Sequence, residues 1–511
     1  MPAYTTPGVY VTESPLKALV ATTGGVSAAV FFGTAARGPL VPVLISDWAS
    51  YETIFGEIAT EYDLGYAVYH YFANGGRAAY VSRVVAAAAI PASATTVGTD
   101  AITWYPAGSG SAAADLLDAT AQSAGVWGNG LDIVTTAGNV AATATSWPTF
   151  DLVVKLDGVE VERWTELTIE PNDTRYVETV INQFSSFITV SNVNADADTY
   201  DVLAEPITTD QPLASGTDGT IADGDWGTAY GGLDLITGAL ILNAAGQSTT
   251  AIVGPLVTKA STRGDSFVII DGDKTDTTYS EIAATAAALT SDPYAAHYAP
   301  ALEMVDPAKS GPSAIRTTAP GGIVAGIYVR TEVQRTVAKA PAGYETTVQG
   351  AYGASVQLTD TQVGALYNGD VPVNTFKVIP GAGVTINGAR TMSKAAADKF
   401  VPVRRTLNYL KASLLEITAF ATFESNDEAL WERLDQTTVA FLGTFWRQGG
   451  LKGARSTDAF YVTCDSSNNT AGTISQGEVH VQVGVALQSP AEFVVINLSQ
   501  WSGGSSASES L

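Results

Sequence analysis

The stretch that decides the fold runs from Leu233 to Asp273. LDLITGALILNAA at 233–245 and SFVIIDGD at 266–273 are continuous apolar runs, and the helix-like AIVGPLVTKASTR at 251–263 separates them. A further helix-like stretch follows at 279–289. Continuous apolar strands alternating with helices are typical of a buried, largely parallel sheet. This half of the chain is therefore predicted to be α/β.

The acidic charge of the chain is concentrated in its middle third. Residues 84–262 hold 4 basic and 21 acidic residues, whereas residues 263–511 hold 18 and 24. At 511 residues, two to four domains are expected, and the middle third is predicted to be a separate module. The net charge of −25 repels phosphate backbones and anionic lipids, so we expect no direct nucleic-acid binding.

The middle module is predicted to be mainly β. LDIVTT at 131–136 has the composition of a strand, and DLVVKL at 151–156 is followed by VEVERWTEL at 159–167. Asp157-Gly158 between the last two is a strong signal for a two-residue hairpin. A helix is expected at about 174–184, where apolar residues share one face.

The last 110 residues are predicted to combine two helices with short strands. The helices are expected at 403–415, after Pro402, and at 425–448, where Ser425 and Glu428 have capping-box spacing before Gly449-Gly450. ITAFATF at 417–423 is predicted to be an apolar strand between them. Three more strands are expected in AFYVTCD at 459–465, EVHVQVGVA at 478–486 and EFVVINLSQ at 492–500.

The sequence offers little material for a catalytic or metal site. Cys464 is the single cysteine, and the histidines are His70, His297 and His480. A metal or cofactor site is not expected, and an acidic loop at 196–201 lacks the spacing of a calcium loop. GAGVTING at 381–388 has the wrong glycine spacing for a dinucleotide loop and is predicted to form a turn.

The histidines do not indicate an enzyme. His297 has Ser291 and Asp292 nearby in sequence, but adjacent residues rarely converge as a catalytic triad, so we expect no enzyme. His70 is expected in an aromatic-rich helix and His480 in a strand, each as a surface or structural histidine. We expect no secretion signal and no membrane helix. A hydrolase and a secreted β-rich surface protein are the alternatives that these residues leave open.

The stretch YTTPGVYVT at 4–12 is predicted to be a strand without a nearby partner. Val9 and Val11 alternate with Tyr10 and Thr12, and Pro7 and Pro15 limit the length of the pattern.

Several segments together resemble the tail sheath proteins of contractile bacteriophages and related contractile injection systems. The resemblance runs in order from about residue 5 to 500, in TPGVYVTES (6–14), AAVFFGTAARGP (28–39), WGNGLDI (127–133), APGGIVAGIYVRTEVQRTVAKAPAG (319–343), FLGTFWRQGGLKGA (441–454) and PAEFVVINLSQ (490–500).

The resemblance implies a multidomain α/β protein with a subtilisin-like-fold core, a C-terminal α+β sheath domain, an inserted mainly-β outer domain and strand-donating arms. The expected divisions are 1–25 (N-terminal arm), 26–90 (first part of the core), 91–235 (acidic outer domain), 236–388 (α/β core), 389–490 (sheath domain with a small receiving sheet) and 491–511 (C-terminal arm and tail). The middle α/β fold would carry no proteolytic function, because fold alone does not specify activity.

The function implied is structural. Sheath subunits form stacked hexameric rings around a tail tube in a metastable extended state, and contraction drives the tube through the target envelope. The implied partners are further copies of the chain, the tube protein, and baseplate and tail terminator proteins, without membrane insertion. The implied location is the virion tail, after assembly in the bacterial host cytoplasm.

The resemblance also implies which residues join neighbouring subunits. The donated strands would contain Gly8, Val9, Tyr10, Val11, Thr12 and Glu13 in one arm, and Glu492, Phe493, Val494, Val495, Ile496, Asn497 and Leu498 in the other. The receiving strands would contain Phe460, Tyr461, Val462, Val479, Val481 and Val483. Arg447, Lys452 and Arg455 are candidates for contact with an acidic tube surface; a role as helix C-terminal charge is the alternative.

Overall fold

A computed structural model describes residues 27–94, 103–104, 114–115, 117–140, 149–168, 170–192, 211–311 and 314–492. The first described residues form a strand, an antiparallel edge strand, two helices and a third strand. These are β1 (Ala28–Gly33), β2 (Val43–Ile45), α1 (Trp48–Phe55), α2 (Asp63–Ala73) and β3 (Ala79–Arg83). β1 is almost wholly buried because both of its faces are covered, as its continuous apolar sequence AAVFFG requires.

The described residues in the middle of the chain form short and medium strands with one α-helix. The elements are β4 (Ser93–Ala94), β5 (Thr103–Trp104), β6 (Ala114–Asp115), β7 (Leu117–Ala121), β8 (Leu131–Ala137), β9 (Phe150–Leu156), β10 (Val159–Leu167), α3 (Val177–Phe184), β11 (Ile188–Asn192) and β12 (Gln211–Pro212). The Asp157-Gly158 hairpin is confirmed, since both residues have left-handed φ angles of 51° and 79°. α3 begins later than expected, because the Asp173 carboxylate accepts from Arg175 N in a turn.

Alternating helices and strands return after residue 222. The elements are α4 (Asp223–Tyr230), β13 (Leu240–Ala244), α5 (Thr250–Arg263), β14 (Ser266–Asp271), α6 (Tyr279–Ala288), β15 (Ala295–Tyr298), β16 (Leu302–Val305), β17 (Ile315–Thr318), α7 (Gly321–Gln334), β18 (Ala351–Ala354), α8 (Asp360–Tyr367), β19 (Val373–Asn374), β20 (Phe376–Ile379) and β21 (Gly383–Ile386). The turn predicted at 381–388 is confirmed only at Gly381 and Ala382, which connect β20 to β21; residues 383–386 form β21 itself.

Seven strands form the main sheet, in the order β19-β15-β14-β13-β1-β3-β2. All pairs are parallel except β2 with β3, so the prediction of a largely parallel sheet is confirmed. Alternate residues serve two cores: Phe31 and Ile269 pack with α2 and α7 on one face, whereas Phe32 and Val268 pack with α4 and α5 on the other. The result is a three-layer arrangement with helices on both faces.

The strands between β3 and β13 form other sheets with a core of their own. β10-β9-β8-β12 form one antiparallel sheet and β11-β7-β4 another. Their buried side chains, among them Leu131, Phe150, Val154 and Ile188, pack together with α3. The chain therefore leaves the main sheet after β3 and rejoins it at β13.

Two long helices and a small sheet complete the described chain. The elements are α9 (Val401–Thr418), α10 (Glu428–Arg447), α11 (Ser456–Ala459), β22 (Phe460–Thr463), α12 (Ala471–Ser475) and β23 (Gln482–Val485). The predicted strand in ITAFATF is wrong: α9 runs through Thr418 and a 3-10 turn covers Ala419–Ala421. A short apolar run does not by itself distinguish a strand from the end of a helix.

The expected starts of both long helices also need correction. α9 includes Pro402 in its first turn, where a missing N–H costs nothing. The N-cap of α10 is Asp427 and not Ser425, because the Asp427 Oδ1 accepts from Leu430 N at 3.0 Å. Trp431 is buried in one apolar cluster beside these helices, and the partly buried Trp446 packs against another.

Candidate strand-exchange surface

β22 and β23 form a two-stranded antiparallel sheet with a simple register. Phe460 lies opposite Val485, Tyr461 opposite Gly484, and Val462 opposite Val483. Phe460, Val462, Val483 and Val485 all pack on one apolar cluster, whereas Tyr461 is 55% exposed. Because side chains alternate across a strand, the sheet has one face on the protein and one toward solvent.

Helix α10 supports the inner face of this sheet. Leu442 is fully buried, and Phe445, Leu451 and Ala459 are nearly so, within the cluster that the four inner side chains cover. A two-stranded sheet is marginal alone, so this packing stabilises it. The strands are held in place before any further strand is added.

The outer edges of β22 and β23 carry no third strand within the residues that the structure describes. Near the ends of the two strands, Ala486 N donates a hydrogen bond to Ala459 O and Lys452 N donates one to Ala486 O, both at 2.8 Å. An open edge presents backbone N–H and C=O groups that can bind an extended segment. The arrangement is chemically suited to accept strands from elsewhere.

Two predicted receiving residues lie outside the small sheet. Val479 and Val481 precede β23 and pack beside Leu430 and Trp431. The segment is held instead by asparagine side chains: His480 N donates to Asn469 Oδ1 at 2.7 Å. The prediction that His480 lies in a strand is therefore wrong. Its ring is exposed and lies 2.9 Å from Glu478.

The predicted donor residues fall almost entirely outside the described chain. Residues 8–13 and 493–498 lie there, as does the acidic loop at 196–201. Glu492 is described, and its carboxylate forms a 2.7 Å ion pair with Arg390. Its side chain is thus bound to the body of its own chain.

The three candidate tube-contact cations lie close together in sequence at the end of α10 and are exposed. Arg447, in the last turn, donates to Thr444 Oγ1 at 3.1 Å. Arg455 pairs with Asp458 at 3.3 Å, and its side chain is 80% exposed. The backbone of Lys452 is bonded to Ala486, so this cation lies beside β23.

The residues of the hydrolase alternative do not form a triad. His297 is fully buried in β15, and burial lowers its pKa to about 4. Ser291 Oγ donates to Met392 O, and the Asp292 carboxylate accepts from Tyr294 N. His70 is also buried, in α2, where burial lowers its pKa to about 4. Neither histidine has the access that a general base needs.

Asp271 is a buried carboxyl at the carboxyl end of β14, where open α/β sheets often bind ligands. It is 1% exposed, and it accepts from Gly321 N at the start of α7, from Gly246 N at 2.9 Å and from Asn243 Nδ2 at 3.2 Å. These bonds hold the start of α7 against the sheet. No local sequence motif marks Asp271, apart from its position after an apolar strand.

The described residues form neither a metal-binding cluster nor a membrane-spanning helix. In the described ranges, no group of three or more histidine, cysteine, aspartate or glutamate side chains could hold a metal ion. Within the same ranges, no helix is long and apolar enough to cross a membrane.

The fold is that of sheath proteins from contractile assemblies. The sheath tail protein of Listeria innocua aligns with a TM-score of 0.60 and 14% identity, over 90% of this chain and 93% of that one. A chain of the anti-feeding prophage baseplate aligns with a TM-score of 0.57 and 18% identity, over 97% and 99%. The contracted PVC sheath complex of an extracellular contractile injection system gives 0.54 and 21%, over 98% and 99%.

The match to a family model in sequence is more specific than the similarity in fold. Residues 393–500 match the family model of the phage tail sheath C-terminal domain. The resemblance to tail sheath proteins is therefore confirmed, and β22 and β23 lie inside the matched domain. No curated protein matches this chain in sequence.

Proposed function

We propose that this chain is the sheath subunit of a contractile tail or injection system, and that it polymerises by strand exchange. The observation that carries the proposal is the small sheet β22-β23, which lies in the matched sheath domain and has open outer edges in the described part of the chain. The donated strands are Gly8–Glu13 and Phe493–Leu498 of neighbouring copies. The polymer is a stack of hexameric rings around a tail tube, which contracts from an extended state.

The free energy of each donated strand is consistent with a lattice whose subunits move while they stay bonded. Each four-residue strand offers on the order of four backbone hydrogen bonds, at a net ~0.5 to 1.5 kcal/mol each. Two or three apolar side chains of an added strand contribute a similar amount. One link is thus modest, and many links per ring give avidity.

The sheet topology supports the domain division proposed from the resemblance. β1 to β3, β13 to β15 and β19 share the main sheet, whereas the strands between β3 and β13 pack around a separate core. We assign the acidic segment 91–235 to the outside of the polymer, where like charge opposes clumping. The core at 26–90 and 236–388 serves as a structural scaffold and not as an enzyme. The partners are the tube, baseplate and terminator proteins, and the location is the virion tail.

Electron microscopy of the purified chain tests the proposal. The full-length protein is expected to form hollow tubes or rings. Deletion of residues 1–15 should leave the circular dichroism spectrum and melting temperature unchanged but prevent polymerisation. A truncation of similar kind at the other end, lacking residues 503–511, serves as the control and should polymerise. Normal tube growth by the variant lacking residues 1–15 would exclude strand donation by this arm.

The hydrolase alternative is tested by the same preparation. The buried position of His297 predicts no peptide or ester cleavage above background. Reproducible cleavage that is lost in a folded His297→Ala variant would overturn the structural assignment.

A further inference from the structure

The carboxylate of Glu492 is held by three side chains of its own chain. Arg390 donates from Nε at 2.8 Å and from Nη2 at 2.7 Å to the two carboxylate oxygens, and Tyr367 donates its hydroxyl at 2.7 Å. Lys399 Nζ lies 3.5 Å away. The Arg390 and Glu492 side chains are only 6% and 12% exposed. Two-pronged pairs of this kind are strong and fix orientation as well as position.

Arg390 is itself held rigidly. Its Nη1 donates to Tyr367 O and to Asn368 Oδ1, both at 2.9 Å, and its guanidinium lies 3.8 Å from the Tyr367 ring. Burial alone opposes ionisation of Glu492, but the hydrogen bonds from Arg390 and Tyr367 and the nearby cations lower its pKa below the usual value. The pair is therefore ionised at neutral pH.

A second buried pair holds the other end of the body. Ser27, where the described chain begins, donates its N–H to Glu332 Oε1 at 2.9 Å. Glu332 pairs in turn with Arg405 at 2.6 Å, and the two side chains are 6% and 4% exposed. The Arg405 guanidinium lies 4.7 Å from the Tyr328 ring. Each proposed arm is thus attached beside a buried arginine–glutamate pair.

Arg405 lies in α9, and Arg390 lies in the segment that pairs with the residue before this helix. Arg405 is in the second turn of this helix. Arg390 forms an isolated β-bridge with Phe400, the residue that precedes the helix, and Val401 N donates to Ala389 O at 2.9 Å. We call residues 390–405 the arm junction. We call Ser27 and Glu492, the described residues nearest the two proposed arms, the arm roots. Both arm roots are bound within or through this short segment.

Loss of the Glu492 attachment would lengthen the C-terminal arm considerably. The preceding side-chain attachment is Gln488, whose Nε2 donates to Gly449 O at 2.8 Å. Four more residues would become free, which adds up to ~14 Å of reach in an extended chain. Neighbouring strands in a sheet are only ~4.8 Å apart, so that slack exceeds one strand position.

On the basis of the proposed function, we propose that Arg390, Arg405 and Glu492 are positioning residues for strand exchange. They fix both arm roots at the arm junction, so that the donated strand begins at Phe493. A movement of the subunit body therefore moves both bonded neighbours directly. Glu492 then belongs to the anchor and not to the donated strand.

Charge reversal at Glu492 tests the inference. Glu492→Lys places a cation against Arg390 and Lys399 and should expel the side chain into the adjoining cleft of about 770 Å³, with the body still folded. In the unassembled protein, proteinase K should cut the chain between 489 and 492 about tenfold faster or more, with cleavage in β22 and β23 unchanged. Polymers of this variant should lose uniform helical rise and twist in cryo-electron microscopy.

Glu160→Lys is the matched control. It breaks an exposed arginine–glutamate pair, Arg163 with Glu160 at 2.6 Å, in the β9–β10 hairpin, which lines no part of the cleft beside Glu492. Its polymers should be as regular as those of the unmodified chain. Equally regular polymers from Glu492→Lys would overturn the inference and leave the sheath function standing.

Two other outcomes separate the inference from the proposed function. Absence of any polymer from the unmodified chain would contradict the sheath function itself. If Glu492→Lys does not fold, Glu492→Gln takes its place, since it keeps the shape of the side chain and removes only the charge. Faster cleavage between 489 and 492 and less regular polymers are then still expected. Polymers as regular as the unmodified ones would overturn the inference.

Discussion

The ring of Tyr461 covers Gly484 across the small sheet. The two residues are directly opposite, and a Cβ atom at position 484 would lie 2.0 Å from Tyr461 Cε1. Any side chain at 484 must therefore displace the ring. The outer face of the proposed receiving sheet depends on this pairing of an aromatic ring with a glycine.

Gly484→Ala is expected to block polymerisation without unfolding the chain. Tyr461 is 55% exposed, so its ring can turn away at little cost in stability. The displaced ring then alters the face on which a donated strand would rest. Sedimentation of polymer and the melting temperature of the unassembled protein measure the two effects.

The control for that substitution is Gly443→Ala in α10. Its new methyl group would be 3.9 Å from Phe460, an ordinary contact distance, so both polymerisation and folding should be retained. Full polymerisation of Gly484→Ala would show that the covered glycine has no part in strand exchange.

Close packing of α2 on α7 depends on glycine at position 322. A Cβ atom there would lie 2.1 Å from Ala67 O, a backbone atom that cannot move independently of its helix. Gly322→Ala should destabilise the core by about 2 kcal/mol or more, since overpacking forces backbone shifts. Gly364→Ala in α8 meets no atom within 4 Å and should instead stabilise by about 0.5 to 1 kcal/mol. The denaturant midpoints of the two variants should therefore shift in opposite directions.

Asp271 should make stability fall as the pH rises. Burial raises the pKa of Asp271 to about 7, above that of the unfolded chain. Between about pH 4 and 7 the folded state keeps a proton that the unfolded state releases, so the free energy of unfolding decreases with pH and levels off above 7. The change attributable to this group between pH 5 and 8 is on the order of 2 kcal/mol.

Asp271→Asn isolates that contribution. The variant should be less stable than the unmodified chain at pH 5, because its amide N–H group faces N–H donors. The gap in urea midpoint should narrow toward pH 8. A gap that stays constant or widens with pH would contradict a raised pKa for Asp271.

The sequence predicted local features well and long-range polar pairs poorly. The strands β13 and β14, the helix between them and the hairpin at Asp157-Gly158 each follow from residues adjacent in sequence. Arg390 and Glu492 are 102 residues apart, and neither lies in a local pattern that indicates the other. The pairing is a tertiary contact that no local pattern indicates. For the same reason the strand predicted in ITAFATF is wrong: Phe420 and Ala421 pack against the cluster of Leu430 and Trp431, which local sequence does not identify.

The exposed cations at the end of α10 should govern attachment to a tube. The double variant Arg447→Glu/Lys452→Glu is expected to polymerise normally but to lose co-sedimentation with purified tube protein, most clearly at low ionic strength, where charge attraction is least screened. Arg163→Glu, on an exposed arginine of the acidic segment, is the matched control and should retain tube binding. If these cations only stabilise the C-terminus of α10 through the helix dipole, the double variant should bind tube normally and lose about 0.3 to 1 kcal/mol of stability. The proposed tube contact predicts the reverse, with a large loss of binding and a small change in melting temperature.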